Sequence, residues 1–201
     1  MRPLMSRVPG PTPMRPMRFH TALIVLVATS GLAWSGDGAA ADSPRVALHT
    51  TKGVIVVELD DEKAPKTVQN FLNYVRQRYY DGMIFHRVID DWVIQSGGHT
   101  KDLAAYETDP PIRSEAANGL KNERGTIAMA RGMNPHSADS QFFINLDDND
   151  SLDHYGYCVF GRVVKGMEVA DAIGDVETHS HEGFDDLPVD AVVIRKARLV
   201  R

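Results

Sequence analysis

From Val46 to Val200 the chain is a succession of short apolar runs, each closed by a glycine, a proline or an acidic turn. Val46–Thr51 and Val54–Leu59 flank Lys52-Gly53, and two β-branched runs around such a pair read as a hairpin. Phe85–Ile89 and Trp92–Ser96 flank Asp90-Asp91 and end at Gly97-Gly98, a second strand–turn–strand unit. Gly125–Ala130, Ser140–Asn145, Tyr157–Val164 and Val189–Val200 follow, with Gly161 interrupting the third of these. Along Ser140–Asn145 a period of two puts Gln141 and Phe143 on one face and Phe142 and Ile144 on the other. About eight closely spaced strands of unequal length predict a mainly β fold, a closed or nearly closed antiparallel barrel. The spacing alone does not separate a barrel from a sandwich.

Two segments replace this rhythm with a helical period. After the acidic Asp60–Glu62 and Pro65, residues Val68, Phe71, Leu72, Val75 and Tyr79 fall on one helical face. Arg76 and Arg78 place positive charge in the last turn, and Asp81-Gly82 ends the element. This helix is expected to cover an open end of the strand layer. Gly166–Ile173, closed by Gly174, predicts a shorter second helix. His99–Asn122 reads as loop, Asp147–Asp153 as a solvated acidic turn and His179–Glu182 as a surface loop. The acidic turn lacks the glycine and terminal glutamate of a calcium-binding EF-hand, and the histidine spacing matches no standard metal site.

Residues 1–41 read as a secretory signal. Arginines lead, an apolar core begins at Thr21–Ala28, and Ala39-Ala40-Ala41 supplies the small residues of a cleavage site before Asp42. No linker or repeat divides residues 42–201, so one domain is expected there, exported to the periplasm and off the membrane after cleavage. The formal charge of the chain is −5; setting aside the four arginines and single aspartate of residues 1–41 brings it to about −8. A domain this acidic is a poor partner for nucleic acid or an anionic membrane surface. The one cysteine, Cys158, lies in a strand pattern and reads as a small buried hydrophobe.

Arg87 is the residue that points to chemistry. It sits among Phe85, Val88, Ile89, Trp92, Val93 and Ile94, and its charge is permanent, so it needs partners or solvent. Strand alternation puts Phe85, Arg87 and Ile89 on one face, with His86 and Val88 on the other. Gln95 is the expected partner of the guanidinium.

Phe85-His86-Arg87-Val88-Ile89, Gly125–Ala130, Ser140–Ile144, Val159-Phe160-Gly161-Arg162-Val163 and Pro65–Phe71 occur in an order that resembles the cyclophilin-type peptidyl-prolyl isomerases. The short connection from the first helix to Phe85 is similar to the bacterial periplasmic branch. The resemblance implies an eight-stranded antiparallel barrel, closed and capped by two α-helices. It also implies a groove on the outer face, with Arg87 as the catalytic arginine. Gln95 and Gln141 would stand beside it, Trp92 would close the proline pocket and Phe143 would floor it. Val93, Leu152 and Tyr157 would complete the lining, and Ala130 and Arg131 would receive the residue before proline. Three positions depart from the family pattern. Asp90-Asp91 replaces a common Pro-Gly turn. Tyr157 replaces a histidine, and Ser151 stands where an aromatic residue is frequent, which counts against tight binding of cyclosporin-like ligands. The implied protein is a monomer without cofactor or metal. It would isomerise X–Pro bonds in proline-containing polypeptides and unfolded exported proteins; the alternative is a proline-binding chaperone module with little turnover.

Such a reaction asks little of acid–base groups. Amide resonance sets a barrier near 18–20 kcal/mol, and the enzyme must favour the twisted amide over both planar forms. A guanidinium that cannot lose its proton suits electrostatic stabilisation of the twisted bond. No nucleophile–base pair for hydrolysis is identifiable in the sequence.

Overall fold

The hairpin signal at Lys52-Gly53 is realised as β1 (Arg45–Thr50) and β2 (Val54–Leu59), paired antiparallel with Leu48 opposite Ile55. The structure is a computed structural model that describes residues 43–200, so the proposed signal segment lies outside it. α1 (Pro65–Arg76) follows, then β3 (Arg87–Ile89), β4 (Val93–Ser96), β5 (Thr126–Met129) and β6 (Phe142–Asn145). α2 (Asp150–Tyr155), β7 (Val159–Lys165), α3 (Met167–Gly174), β8 (Thr178–His181), β9 (Phe184–Pro188) and β10 (Ile194–Val200) complete the chain. Eight strands form one sheet in the order β10-β1-β2-β7-β5-β6-β4-β3, antiparallel throughout. β8 and β9 form a separate two-stranded hairpin.

The expected closed barrel is in fact an open half-barrel. The ladder ends at β3 and β10, and the gap is spanned by the single bridge Ile84–Val193 with backbone bonds around it, such as Phe85 N to Val192 O at 2.9 Å. The cause is local: β3 is only three residues long, and Phe85-His86 before it are not in strand. The expected alternation fails at the same place. Phe85 and Val88 both enter the main core, so Phe85 does not share the face of Arg87.

Inside the sheet, Leu48, Ile55, Val57, Ile127, Phe142, Ile144, Phe160 and Ile194 meet α1. Phe71 at the centre of α1 touches Tyr80, Phe142 and Phe160, with ring centroids 5.2, 5.4 and 5.2 Å away. Emptying that site costs about 3–5 kcal/mol by the usual large-to-small rule. The negative charge at the start of α1 comes from elsewhere than expected. Glu115 accepts from the backbone N–H of Thr67 at 2.9 Å and of Lys66 at 3.2 Å, whereas Asp60 turns back to Lys63 N. α1 also stops short of Asp81-Gly82, at Arg76, with Arg78 beyond it at φ 60°.

Gly161 explains the interruption noted in its strand. A Cβ there would stand 2.3 Å from the carbonyl oxygen of Glu58, so only glycine lets β7 approach β2 this closely. Among the described residues the helices number three, not two. α2, Asp150–Tyr155, takes in the second half of the Asp147–Asp153 stretch read as turn; Asp150 and Asp153 lie in its first turn, and Gly156 closes it at φ 73°. Cys158 is buried, its Sγ 3.6 Å from Thr67 Oγ1, and burial pushes the thiol pKa up.

Candidate active site

Because side chains alternate, the sheet that fills its concave side with Phe142 and Ile144 turns Phe143 outward. There Phe143 meets Val93, Ala128, Leu152 and Val159, a second apolar cluster distinct from the core. Register brings its neighbours into line: Gln95 faces Phe143 across β4 and β6, and Ala128 faces it across β5 and β6. Trp92, Ala130 and Tyr157 pack at the edge of the cluster. The Tyr157 ring meets Phe143 edge-on at 5.6 Å. The result is a cavity of about 220 Å³ lined by Arg87, Trp92, Val93, Gln95, Ala130, Arg131, Phe143, Leu152 and Tyr157. Gln141 lies next door, on a cavity of about 300 Å³ that shares Gln95, Ala130 and Arg131.

The polar side of the pocket differs from expectation. Arg87 and Gln95 are cross-strand neighbours, yet they do not hydrogen-bond. The Gln95 amide donates to Gln141 Oε1 at 2.9 Å and stands 3.4 Å from His86 Nε2. Cross-strand position sets reach, and the two amides satisfy each other as neutral donor and acceptor. Among the described residues the Arg87 side chain donates no hydrogen bond. Its guanidinium carbon lies 4.8 Å from the Trp92 ring centroid, and its Nε lies 3.7 Å from Asp186 Oδ2. His86, buried behind Gln95, has its pKa lowered to about 4, chiefly by burial and then by His99, so it is neutral at ordinary pH.

Arg131 is bound differently. Its Nη1 donates to Gly132 O at 2.9 Å, its Nη2 donates to Tyr155 O, and its guanidinium carbon lies 4.8 Å from the Tyr157 ring centroid. It ties the loop after β5 to the end of α2.

A buried amide chain sets the Trp92 end. Asn149 Nδ2 donates to the Trp92 carbonyl at 3.0 Å and to Asn145 Oδ1 at 2.8 Å. Asn145 Nδ2 donates on to Asn122 Oδ1 at 3.2 Å, and Asn122 donates to Asp153 Oδ1 on α2 at 2.9 Å. Three buried asparagines thus fix Trp92 against the helix that carries Leu152. None of them stood out in the sequence, where single asparagines carry no period. Asp186 was missed as well. It lies on β9, in the hairpin whose first strand, Thr178–His181, takes in most of the His179–Glu182 stretch read as surface loop.

An apolar notch beside a guanidinium with unused donors, on the outside of an antiparallel half-barrel, has the chemistry to seat a compact ring flanked by a polarisable bond. Comparison with known proteins gives the class its name. The family model described as cyclophilin type peptidyl-prolyl cis-trans isomerase/CLD matches residues 45–199. Peptidyl-prolyl cis-trans isomerase cyp18 of Streptomyces antibioticus is 53% identical over 162 residues, covering 77% of this chain and 98% of its own. Peptidyl-prolyl cis-trans isomerase A of Dickeya dadantii is 47% identical over 181 residues, covering 88% and 95%. A Cryptosporidium parvum cyclophilin-type isomerase, crystallised in the presence of the dipeptide Ala-Pro, superposes with a TM-score of 0.67 at 26% identity, over 78% of this chain and 99% of that one. The chain belongs to the cyclophilin-type peptidyl-prolyl cis–trans isomerases. It is an enzyme that isomerises X–Pro bonds, and proline-containing polypeptides are its substrates.

Proposed function

We propose that the cavity beside Arg87 is where the X–Pro bond turns. Phe143, Val93, Leu152, Trp92 and Tyr157 hold the proline ring by apolar contact, and the chain before proline rotates. As the amide twists, the proline nitrogen regains a lone pair, and the Arg87 guanidinium donates to it. Gln95 and Gln141 steady the substrate backbone, and Ala130 and Arg131 face the residue before proline. Lowering the barrier by about 7 kcal/mol accelerates exchange roughly 10⁵-fold. One observation carries the reading: nine residues scattered between Arg87 and Tyr157 surround one cavity. The test is isomer exchange on an Ala-Pro peptide. Arg87→Ala should lower kcat/KM about 10²–10³-fold with melting unchanged, the usual scale for losing a donor to developing charge. A near-normal rate rejects the assignment.

The same reading places the enzyme in the periplasm, as a monomer that assists folding of exported proteins. The apolar run Thr21–Ala28 followed by Ala39-Ala40-Ala41 supports export, and bacterial relatives support a bacterial setting. N-terminal sequencing of protein from the periplasmic fraction should begin at Asp42; recovery of the uncleaved chain from the cytoplasm overturns it.

A further inference from the structure

Arginines elsewhere in this chain show what a locked guanidinium looks like. Arg198 gives Nη1 and Nη2 to the two oxygens of Asp81 at 2.8 and 2.7 Å, and Arg124 gives Nη2 to Asp171 at 2.9 Å. Arg87 has one carboxylate within ion-pair distance among the described residues, Asp186, and the contact is made at Nε, at 3.7 Å. That is beyond hydrogen-bond length, so the attraction is coulombic and consumes none of the Nη donors. We propose that Asp186 is a positioning residue for Arg87. It holds the Nε edge of the guanidinium and leaves the Nη groups for the twisting amide. This rests on the reading of Arg87 as the group that acts on the X–Pro bond.

The hairpin is built to present that carboxylate. β9 lies against β3, the strand of Arg87. Phe184 at its start packs edge-on against His99 at 4.8 Å and His86 at 6.3 Å, and Leu187 beyond is buried. Between these anchors Asp186 adopts φ 58°, a left-handed backbone that costs most side chains energy and that aspartate tolerates better than most. The neighbouring Asp185 accepts from Ser180 Oγ at 3.0 Å, within the hairpin. Two adjacent carboxylates therefore part, one to brace the hairpin and one to face Arg87. The side chains of Arg87 and Asp186 are 36% and 38% exposed, so salt reaches the pair. Trp92 restrains the guanidinium by its face while Asp186 restrains it by its edge. Without the edge contact Arg87 retains its charge and loses its aim, and misplacement on the ångström scale is costly to a rate.

Asp186→Asn is the decisive variant, because asparagine accepts the same left-handed backbone and removes only the charge. With an Ala-Pro peptide, kcat should fall about tenfold while KM changes less than about twofold. In the wild type, raising salt from about 0.05 to 1 M should lower kcat toward the variant's value, and the variant should be insensitive. The Arg87 Nε–H resonance should shift in Asp186→Asn and move in the same direction with salt in the wild type. An Asp186→Asn enzyme with wild-type kcat, or a wild-type kcat indifferent to salt, overturns the proposal while Arg87→Ala still tests the site itself. Should Asp186→Asn fail to fold, the wild-type salt titration and resonance decide alone. Full activity in Arg87→Ala would instead remove the reading beneath it.

Discussion

Two arginines line one cavity, and they are held in opposite ways. Each has its guanidinium carbon 4.8 Å from an aromatic centroid, Arg87 against Trp92 and Arg131 against Tyr157. Arg131 gives one hydrogen bond from each Nη, to the carbonyls of Gly132 and Tyr155, and so joins a loop to a helix, while its Nε is buried without a partner. Among the described residues Arg87 gives none, and its one carboxylate within ion-pair distance sits off the edge at 3.7 Å. The same side chain beside the same kind of ring is thus a brace in one place and a group with donors to offer in the other. What distinguishes them is which backbone carbonyls lie in reach, a property of tertiary structure.

The largest expected effect comes from replacing each arginine by lysine. Lysine keeps the charge and loses the planar fork. If the fork at position 87 meets the twisted amide, as proposed, Arg87→Lys should lower kcat/KM by about 10²-fold with little change in melting. At position 131 the fork holds two carbonyls, so Arg131→Lys should lower stability by about 1–2 kcal/mol and change kcat/KM only about threefold. Exchange spectroscopy and thermal melts on the two variants check this. Equal losses of activity would erase the distinction between brace and donor.

The next effect concerns the charge behind Arg87. His86 is kept neutral, with its pKa lowered from 6.5 to about 4, so the Arg87 side of the pocket carries one permanent positive charge and no second. Below pH 6.5 the unfolded chain takes up a proton that the folded chain refuses, so stability is full above 6.5 and falls as pH drops toward about 4. Between pH 7 and 5 the loss should be about 2 kcal/mol in urea titrations. His86→Gln should remove most of that slope, leaving the smaller part from His49, whose pKa is lowered mainly by burial. Glu58 and Asp81, held below the usual carboxylate range by hydrogen bonds from Arg45 and Arg198, contribute only at lower pH. Exchange rates should stay flat over the same range, since no catalytic proton moves. An unchanged slope in His86→Gln would mean that the imidazole titrates alike in the folded and unfolded chain, and that burial does not lower its pKa.

What the sequence made legible follows from local rules. The outward turn of Phe143 is a matter of period two, and the strand pairs were bounded by visible turn residues. The residues picked out through ordered motifs line that one cavity, apart from Gln141, which lies on the neighbouring one. The rest depended on partners that no local pattern announces. Gln95 lies across from Arg87 yet bonds Gln141, because a neutral amide offers what the guanidinium does not, an acceptor paired with a donor. α2 escaped notice because Leu152 is its one buried residue, too little for a periodic signal. The β8–β9 hairpin escaped because Thr178–His181 alternates nothing apolar, and Asp186 with it. The barrel seam stays open because β3 is too short to complete a ladder, which depends on where the chain before it runs.

The smallest effect tests whether the ring beneath Arg131 matters to substrate or only to Arg131. Tyr157 touches both Phe143, at 5.6 Å edge-on, and the Arg131 guanidinium, at 4.8 Å. A cation over a partly exposed ring is worth about 0.5–1 kcal/mol. Tyr157→Leu keeps an apolar wall and removes that attraction, so KM should rise about threefold while kcat holds. The Arg131→Met/Tyr157→Leu double variant should then be no weaker than its worse parent, because both changes remove the cation–ring contact. Were kcat to fall instead, the Tyr157 ring would be acting on the twisting bond, and the division between a bracing side and a reacting side of this pocket would have to be redrawn around Phe143.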